Sequence, residues 1–324
     1  MPEKYYIGVD LGGTNIKAGL VTENGKVVER TSIPTEPDGG PDHVIGRIAE
    51  AAEIVRKAGG VSKDLVGGVG IGSPGTLDIK AGVVRFPPNL PGWRNVPVVE
   101  RFTAITGLKA VLENDANAAA YGEFWAGAAR DVHSMVMFTL GTGVGGGIII
   151  DDVLVHGNTD SAAEIGHITI EANGRKCPCG NWGCLEAYAS ANSMARRFVE
   201  AVDAGEPSSL ADKARGNGKI TSKMIYEAAV AGDELANRIF RETGNYLGIG
   251  IVNMLHTLNP ARVVLSGGMI AAGDMLMRPV RETVEKRAIP DVRRNCDIVF
   301  ATLGEDAGFI GGAGCALVAF GTSR

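Results

Sequence analysis

The amino-acid sequence predicts an α/β protein with a duplicated fold, two similar domains that each open on the same strand–turn–strand unit. Three observations carry that expectation. The first is a repeat of architecture. Residues 7–32 read as strand Ile7–Asp10, Gly-rich turn Leu11–Asn15, strand Ile16–Val21, an Asn-Gly turn at Glu23–Lys26, and strand Val27–Ser32. Residues 135–155 repeat the order: strand Met135–Leu140, Gly-rich turn Gly141–Gly145, strand Gly146–Ile150, a polar turn at Asp151 and Asp152, and strand Val153–Val155. Second, the remaining segments alternate apolar strand-like runs with helical periodicity, as in an α/β protein. Third, 324 residues are enough for two domains.

The other elements follow in chain order. Asp42–Ala58 places Val44, Ile48, Ala51, Ala52 and Val55 at helical spacing and ends at Gly59-Gly60. Leu65–Ile71 is a buried strand leading into Ser73–Thr76. Val96–Thr106 is a helix with Pro97 in its first turn and Gly107 past its end. Ala110–Leu112 is a strand that runs into Glu113–Asp115, and Ala116–Ala126 a helix. Residues 204–219 are the most linker-like stretch. Glu234–Leu258 is expected as a long helix interrupted by Gly244, Gly248 and Gly250. Strand Arg262–Leu265 leads into Ser266–Gly268; helix Met275–Arg287, strand Ile298–Thr302 and the Gly/Ala-rich helix Ala307–Phe320 complete the chain.

Composition narrows the function. With 45% hydrophobic and 21% charged residues the chain has the profile of a soluble globular protein. A net charge of −5 without a basic run argues against nucleic acid as the main partner. No apolar run approaches the length of a membrane span, since the longest, near Val144–Ile150, is broken by glycines. Met1–Tyr6 enters a strand directly, so no signal peptide is expected and the expected location is cytoplasmic. Cys296 and Cys315 stand alone in apolar surroundings and are expected to be core thiols instead of a disulfide.

The densest chemical signal lies between Glu164 and Glu186. Glu164-Ile165-Gly166-His167 is followed, nine residues on, by Cys177-Pro178-Cys179-Gly180-Asn181-Trp182-Gly183-Cys184-Leu185-Glu186. One imidazole and three thiolates form a closed tetrahedral Zn2+ set, and four protein ligands leave no open position, which makes such a zinc structural. The competing reading is a group of buried thiols beside an incidental histidine. It does not readily explain Cys177 and Cys179 one residue apart beside a turn.

Asp10–Lys17 (D-L-G-G-T-N-I-K), Glu113–Asn117 (E-N-D-A-N), Leu140–Gly147 (L-G-T-G-V-G-G-G), Glu164–His167, Cys177–Glu186 and Leu265–Gly268 (L-S-G-G) together resemble the ROK family, in order and over essentially the whole chain. That family groups sugar kinases and sugar-responsive repressors on the actin-like ATPase (ribonuclease H-like) fold. Within it the motifs are most similar to those of bacterial ATP-dependent glucokinases. The resemblance implies a small domain of residues 1–112 plus 303–324, a large domain of residues 113–302 carrying the zinc site, and an active site in a central cleft. It implies ATP-dependent transfer to the 6-hydroxyl of a hexose, D-glucose first, as in the first step of glycolysis. N-acetylmannosamine, N-acetylglucosamine, fructose and allose are alternatives, as is polyphosphate as donor. A homodimer or homotetramer is also implied. The repressor alternative is set aside because only a few residues precede the first strand, too few for a helix-turn-helix.

Phosphoryl transfer needs phosphate cradles, a metal to offset charge, and a group to take the acceptor proton. The Leu11–Asn15 turn, with Gly12, Gly13 and Thr14, and the Gly141–Gly145 turn, with Thr142 and Gly143, each offer backbone N–H groups and a hydroxyl. Neither is a P-loop, and each glycine run could instead serve only a tight hairpin. The resemblance gives Asp10 a Mg2+-holding role, Asn15 and Lys17 a place at the phosphates, and Gly267 and Gly268 the adenosine-side turn, with no base-reading residue named. Asp115 is the expected general base, although its position would equally suit a helix N-cap. Asn114, Glu164, His167 and Glu186 are expected to hold sugar hydroxyls. If zinc takes one ring nitrogen of His167, the other N–H is expected to donate to the sugar or else to a neighbouring carbonyl. Asn89 and Gly75 are weaker sugar-side expectations, with a plain Pro/Gly turn as the alternative.

Overall fold

The computed structural model describes residues 4–87, 89–216 and 218–321. The outermost residues 1–3 and 322–324, residue 88 and residue 217 of the linker-like stretch lie outside it. β1 (Tyr5–Leu11), β2 (Asn15–Thr22) and β3 (Val27–Pro34) precede α1 (Gly40–Ala58), β4 (Val66–Ser73) and a hairpin of β5 (Thr76–Asp78) and β6 (Val83–Phe86). α2 (Val98–Thr106), β7 (Ala110–Asn114) and α3 (Asp115–Trp125) follow, then β8 (Met135–Leu140), β9 (Val144–Ile150) and β10 (Val153–Leu154). Five helices come next: α4 (Glu186–Ala189), α5 (Ala191–Asp203), α6 (Ala211–Arg215), α7 (Ser222–Val230) and α8 (Glu234–Leu258). β11 (Arg262–Ser266), α9 (Asp274–Arg287), α10 (Pro290–Arg294), β12 (Asp297–Phe300) and α11 (Ala307–Phe320) end the chain.

The duplication is visible in strand order. One sheet runs β3-β2-β1-β4-β7 and the other β10-β9-β8-β11-β12, so each reads third, second, first, fourth, fifth in its own numbering. In the first sheet β1–β2 and β2–β3 are antiparallel, and β1–β4 and β4–β7 parallel. Parallel pairing needs a crossover, and α1 and α2 supply it.

The chain forms two compact units, residues 1–135, 147–163 and 301–324 in one, and 136–146 with 164–300 in the other. The boundaries expected from sequence, 112/113 and 302/303, differ by assigning residues 113–135, which include α3, together with 147–163 and 301–302 to the second domain. α3 belongs with the first unit because it packs against α11: a Cβ on Gly311 would lie 1.6 Å from the Ala118 carbonyl oxygen, and one on Gly122 2.4 Å from that of Ala307. In this unit Ile7, Val9, Leu11 and Ile16 meet α1 and α2 on one face, while Tyr6, Val21, Phe309 and Ala313 build the other.

Several details depart from expectation. α2 starts two residues late because Val96 pairs with Val84, both N–H to O distances being under 3 Å (2.8 and 2.9 Å). β12 stops at Phe300, since the Thr302 N–H is taken by the Glu123 carboxylate. α8 runs unbroken for 25 residues: a Cβ on Gly244 would lie 2.5 Å from Pro279, and one on Gly248 2.6 Å from Thr283, so these glycines let α9 approach. The hairpin β5–β6 and helices α4–α7 and α10 carried no clear sequence signal. Among the described residues no helix is long and apolar enough to cross a membrane, and Cys296 and Cys315 are free thiols.

Candidate functional site

In the first unit the Leu11–Asn15 turn joins β1 to β2. The Gly12 N–H donates to the Asn15 carbonyl at 3.0 Å, so that group closes the turn on itself. Thr35, fully buried, holds it from the side: its N–H donates to the Thr14 carbonyl at 2.9 Å and its hydroxyl to the Gly12 carbonyl at 2.7 Å. Nothing in the sequence around Thr35 marked it. Asn89 lies against this turn, 3.1 Å from where a Gly13 Cβ would sit. Gly75 has φ +93 and its missing Cβ would meet the Phe86 carbonyl oxygen at 2.4 Å, which explains glycine there by turn geometry.

Asp10 faces Lys17 across the β1–β2 ladder. Burial, then the charge of Asp115, pushes Asp10 up to about 6, with Lys17 opposing. Lys17 itself pairs with Glu305 at 2.7 Å. Asp10 and Asp115 are therefore close enough to feel each other's charge, at the end of β1 and the start of α3. The alternative role for Asp115 is resolved locally: Asn114 is the N-cap, its Oδ1 accepting from the Ala116 and Asn117 N–H groups at 3.0 and 3.2 Å. Asp115 is the first helical residue, with Oδ1 accepting from Ala116 N–H at 2.8 Å. The cap uses the Oδ1 of Asn114, and its amide Nδ2 takes no part in it.

In the second unit His167, Cys177, Cys179 and Cys184 place one ligand atom each within 4.8 Å of all the others. The His167 Nδ1 is 3.7 Å from the Cys177 sulfur, and the Cys179 and Cys184 sulfurs are 3.7 Å apart. Local turns produce this: Cys177 N–H donates to Asn181 O at 2.8 Å, Gly180 N–H to Cys177 O at 3.0 Å, and Gly180 and Gly183 take φ +97 and +73. Such sulfur-rich, imidazole-completed donors fit a soft divalent metal held tetrahedrally. With Nδ1 turned to the sulfurs, the His167 Nε2 faces away, 3.9 Å from the Glu164 carboxylate.

Glu186 begins α4 and ties this cluster to the second Gly-rich turn. Its Oε2 accepts from Val144 N–H at 3.0 Å and its Oε1 lies 4.0 Å from the Cys177 sulfur. A Cβ on Gly143 would sit 2.4 Å from that carboxylate, so a side chain there would displace the end of Glu186. The Gly141 N–H closes its own turn on Gly143 O at 3.1 Å, as Gly12 does in the first unit. Gly267, at φ +92 after β11, would press a Cβ onto the Leu140 carbonyl oxygen at 2.4 Å, while Gly268 opens a cavity of about 270 Å3. Tyr226, Phe240, Met269, Ala271 and Ala272 line that cavity. Sequence gave no sign of it, because its aromatic walls come from α7 and α8, where they also read as ordinary core positions.

Known proteins are similar to this chain over nearly its whole length. The chain is 41% identical over 314 residues to a glucokinase of Thermotoga maritima, covering 97% of both, and 39% identical over 313 residues to a glucokinase of Halalkalibacterium halodurans, covering 96% of this chain and 94% of that one. Its structure is similar to a ROK family glucokinase from Streptomyces griseus in complex with glucose and AMPPNP, with a TM-score of 0.76, 35% identity, and 96% and 98% of the two chains covered. Its two five-stranded sheets with one strand order give it the duplicated actin-like ATPase fold. The ROK family model matches residues 6–318, and this chain belongs to the ROK family.

Proposed function

We propose that the protein is an ATP-dependent hexose kinase that converts D-glucose to glucose 6-phosphate. The observation that carries this reading is Asp115: a carboxylate at the first position of a helix whose capping duty Asn114 already performs. The helix N-terminus favours its ionised form, as a general base requires. Asp115 takes the proton of the sugar 6-hydroxyl as that oxygen attacks the γ-phosphorus and the bond to the β–γ bridging oxygen breaks. The Asn114 amide donates to a neighbouring hydroxyl, Glu164 and Glu186 accept from others, and the His167 Nε2–H donates to one. Asn89 and Gly75 are assigned to the sugar side.

The Gly13–Lys17 and Thr142–Gly143 segments are assigned to the phosphates, Gly12 and Gly141 closing their turns. Gly267, Gly268 and the cavity between Tyr226 and Met269 suit an adenosine: mainly apolar, with two aromatic rings 6.1 Å apart (Tyr226 and Phe240) and Ser222, Lys223 and Glu227 as its polar lining. Asp10 would hold magnesium, which offsets phosphate charge when bound. The four-residue cluster would hold a structural zinc, which fixes the His167 ring and the fold of residues 167–184. The proposed setting is the cytoplasm, and a homodimer or homotetramer the proposed assembly.

The test is a coupled assay of glucose, N-acetylmannosamine, N-acetylglucosamine, fructose and allose with ATP or polyphosphate. ATP-dependent turnover of glucose above the others is expected, and Asp115→Asn should lower kcat by about 10^3 while glucose still binds. Turnover of none of the five with ATP would overturn the activity, and substantial residual turnover by Asp115→Asn would overturn the base.

A further inference from the structure

Next to Asp115, in the same unit, sits a buried carboxylate for which the reaction above has no use. Glu113 is 3% exposed, on β7 two residues before Asp115. Its Oε1 accepts from the Asn114 N–H at 2.9 Å and from the Asn117 Nδ2 at 3.1 Å, and its Oε2 meets the His156 Nε2 at 2.7 Å. A carboxyl group out of water is costly unless its oxygens find partners, and these three contacts supply them.

The partners of Glu113 are not arbitrary. Asn114 is both its backbone donor and the N-cap of α3, and Asn117 is the third residue of that helix. The backbone on either side of the Asn114–Asp115 peptide is thus tied, upstream to the Glu113 carboxylate and downstream to the helix. His156 comes from the segment after β10. Its carbonyl accepts from Ala162 N–H at 3.0 Å, and Asp160 of the same segment accepts from Ile79 N–H at 2.9 Å, so the imidazole is carried on an anchored loop. The hydrogen bond to Glu113 raises the His156 pKa against the opposing effect of burial, with the charges of Glu113 and Asp160 adding to the rise. On α11, burial first and then the charge of Glu113 push the Cys315 thiol up.

We propose that Glu113 and His156 are positioning residues: their contact fixes the Asn114–Asp115 turn and so aims the Asp115 carboxylate at the sugar hydroxyl. This rests on the reading of Asp115 as general base. A misaimed base costs turnover far more than binding, which gives the inference a specific signature.

The experiment compares the wild-type chain with His156→Ala, His156→Gln, Glu113→Gln and the double variant His156→Ala/Glu113→Gln. For each, kcat and glucose KM, thermal stability, and amide hydrogen exchange at Asn114, Ala116 and Asn117 are measured. His156→Ala should lower kcat by about tenfold or more with glucose KM within about threefold, and His156→Gln, which keeps a side-chain donor, should recover much of the loss. The double variant should lose less than the product of the two single losses, because both act through one contact. Exchange at the three amides should quicken in His156→Ala. A folded His156→Ala with kcat within about twofold of wild type overturns the inference, as does a rise in KM at constant kcat. So does lowered thermal stability with neither a kcat loss nor faster local exchange. If His156→Ala does not fold, Glu113→Gln decides the matter by the same split, since it keeps the shape and one acceptor oxygen. A wild-type chain that turns over no hexose would overturn the kinase reading instead, and the exchange data, which need no substrate, would still decide the contact.

Discussion

The surroundings of Asp10 set how tightly its carboxyl holds a proton. Burial first, and then the charge of Asp115, push Asp10 up to about 6 against the opposing charge of Lys17. A folded pKa above the ordinary 3.8 means that the folded protein holds that proton more tightly than the unfolded chain does. The resulting stabilisation is fully present below about pH 4 and is lost as pH rises through about 6. A cation on Asp10 competes with the same proton. The thermal stabilisation by Mg2+-ATP should therefore be large at about pH 8 and shrink below about pH 6, and Asp10→Asn should remove most of that pH dependence. Equal stabilisation at both pH values in wild type would count against Asp10 as the magnesium residue. Asp10 and Asp115 were both legible in the sequence from their motifs. Thr35 was not, because a lone threonine after a strand acquires its role only from the turn folded against it.

At the scale of elements, the 46 glycines have a second meaning besides tight turns. Many let backbones touch. A Cβ on Gly8 of β1 would lie 1.6 Å from the Phe309 carbonyl oxygen, and one on Gly70 of β4 1.8 Å from that of Gly312. α11 therefore rests directly on the central strands of the first sheet, where a side chain would force the layers apart. Gly70→Ala should destabilise the protein by about 3 kcal/mol, read as a lower denaturant midpoint at unchanged m-value. A cost within about 0.5 kcal/mol would show that the contact relaxes easily. The Cys/His segment makes the opposite case: His167, Cys177, Cys179 and Cys184 sit in turns and have almost no regular structure to hold them. Cys184→Ser should lower zinc from about one per chain and cost several kcal/mol of stability, read by elemental analysis and thermal melting. A metal-free protein as stable and active as the wild type would remove the structural role.

At the scale of the molecule, the repeated strand order is the physical content of the duplication. Two segments with little sequence in common, residues 5–114 and 135–300, build sheets of the same order because each begins with the same three-strand meander and then adds strands by crossover. Right-handed crossovers and short connections leave few other ways to complete such a sheet. The hexose panel is a prediction at this scale, because substrate choice depends on loops that the two sheets carry and not on the sheets themselves.

Strand–turn–strand periodicity, the Gly-rich turns, the Cys/His spacing and the E-N-D run were determined by the sequence alone, since each is a local pattern whose physics acts within about twenty residues. α8 was legible as a helix but not as an unbroken one, because the reason for its glycines lies on α9. Helices α4–α7 and the cavity between Tyr226 and Met269 came only from the tertiary structure, as did the assignment of α3 to the unit of α11. So did the division of labour at Asn114 and Asp115, and the buried contact of Glu113 with His156. Those last two residues are 43 apart in sequence, and no local signal connects them. Only burial, which makes an unsatisfied carboxylate costly, requires one to find the other.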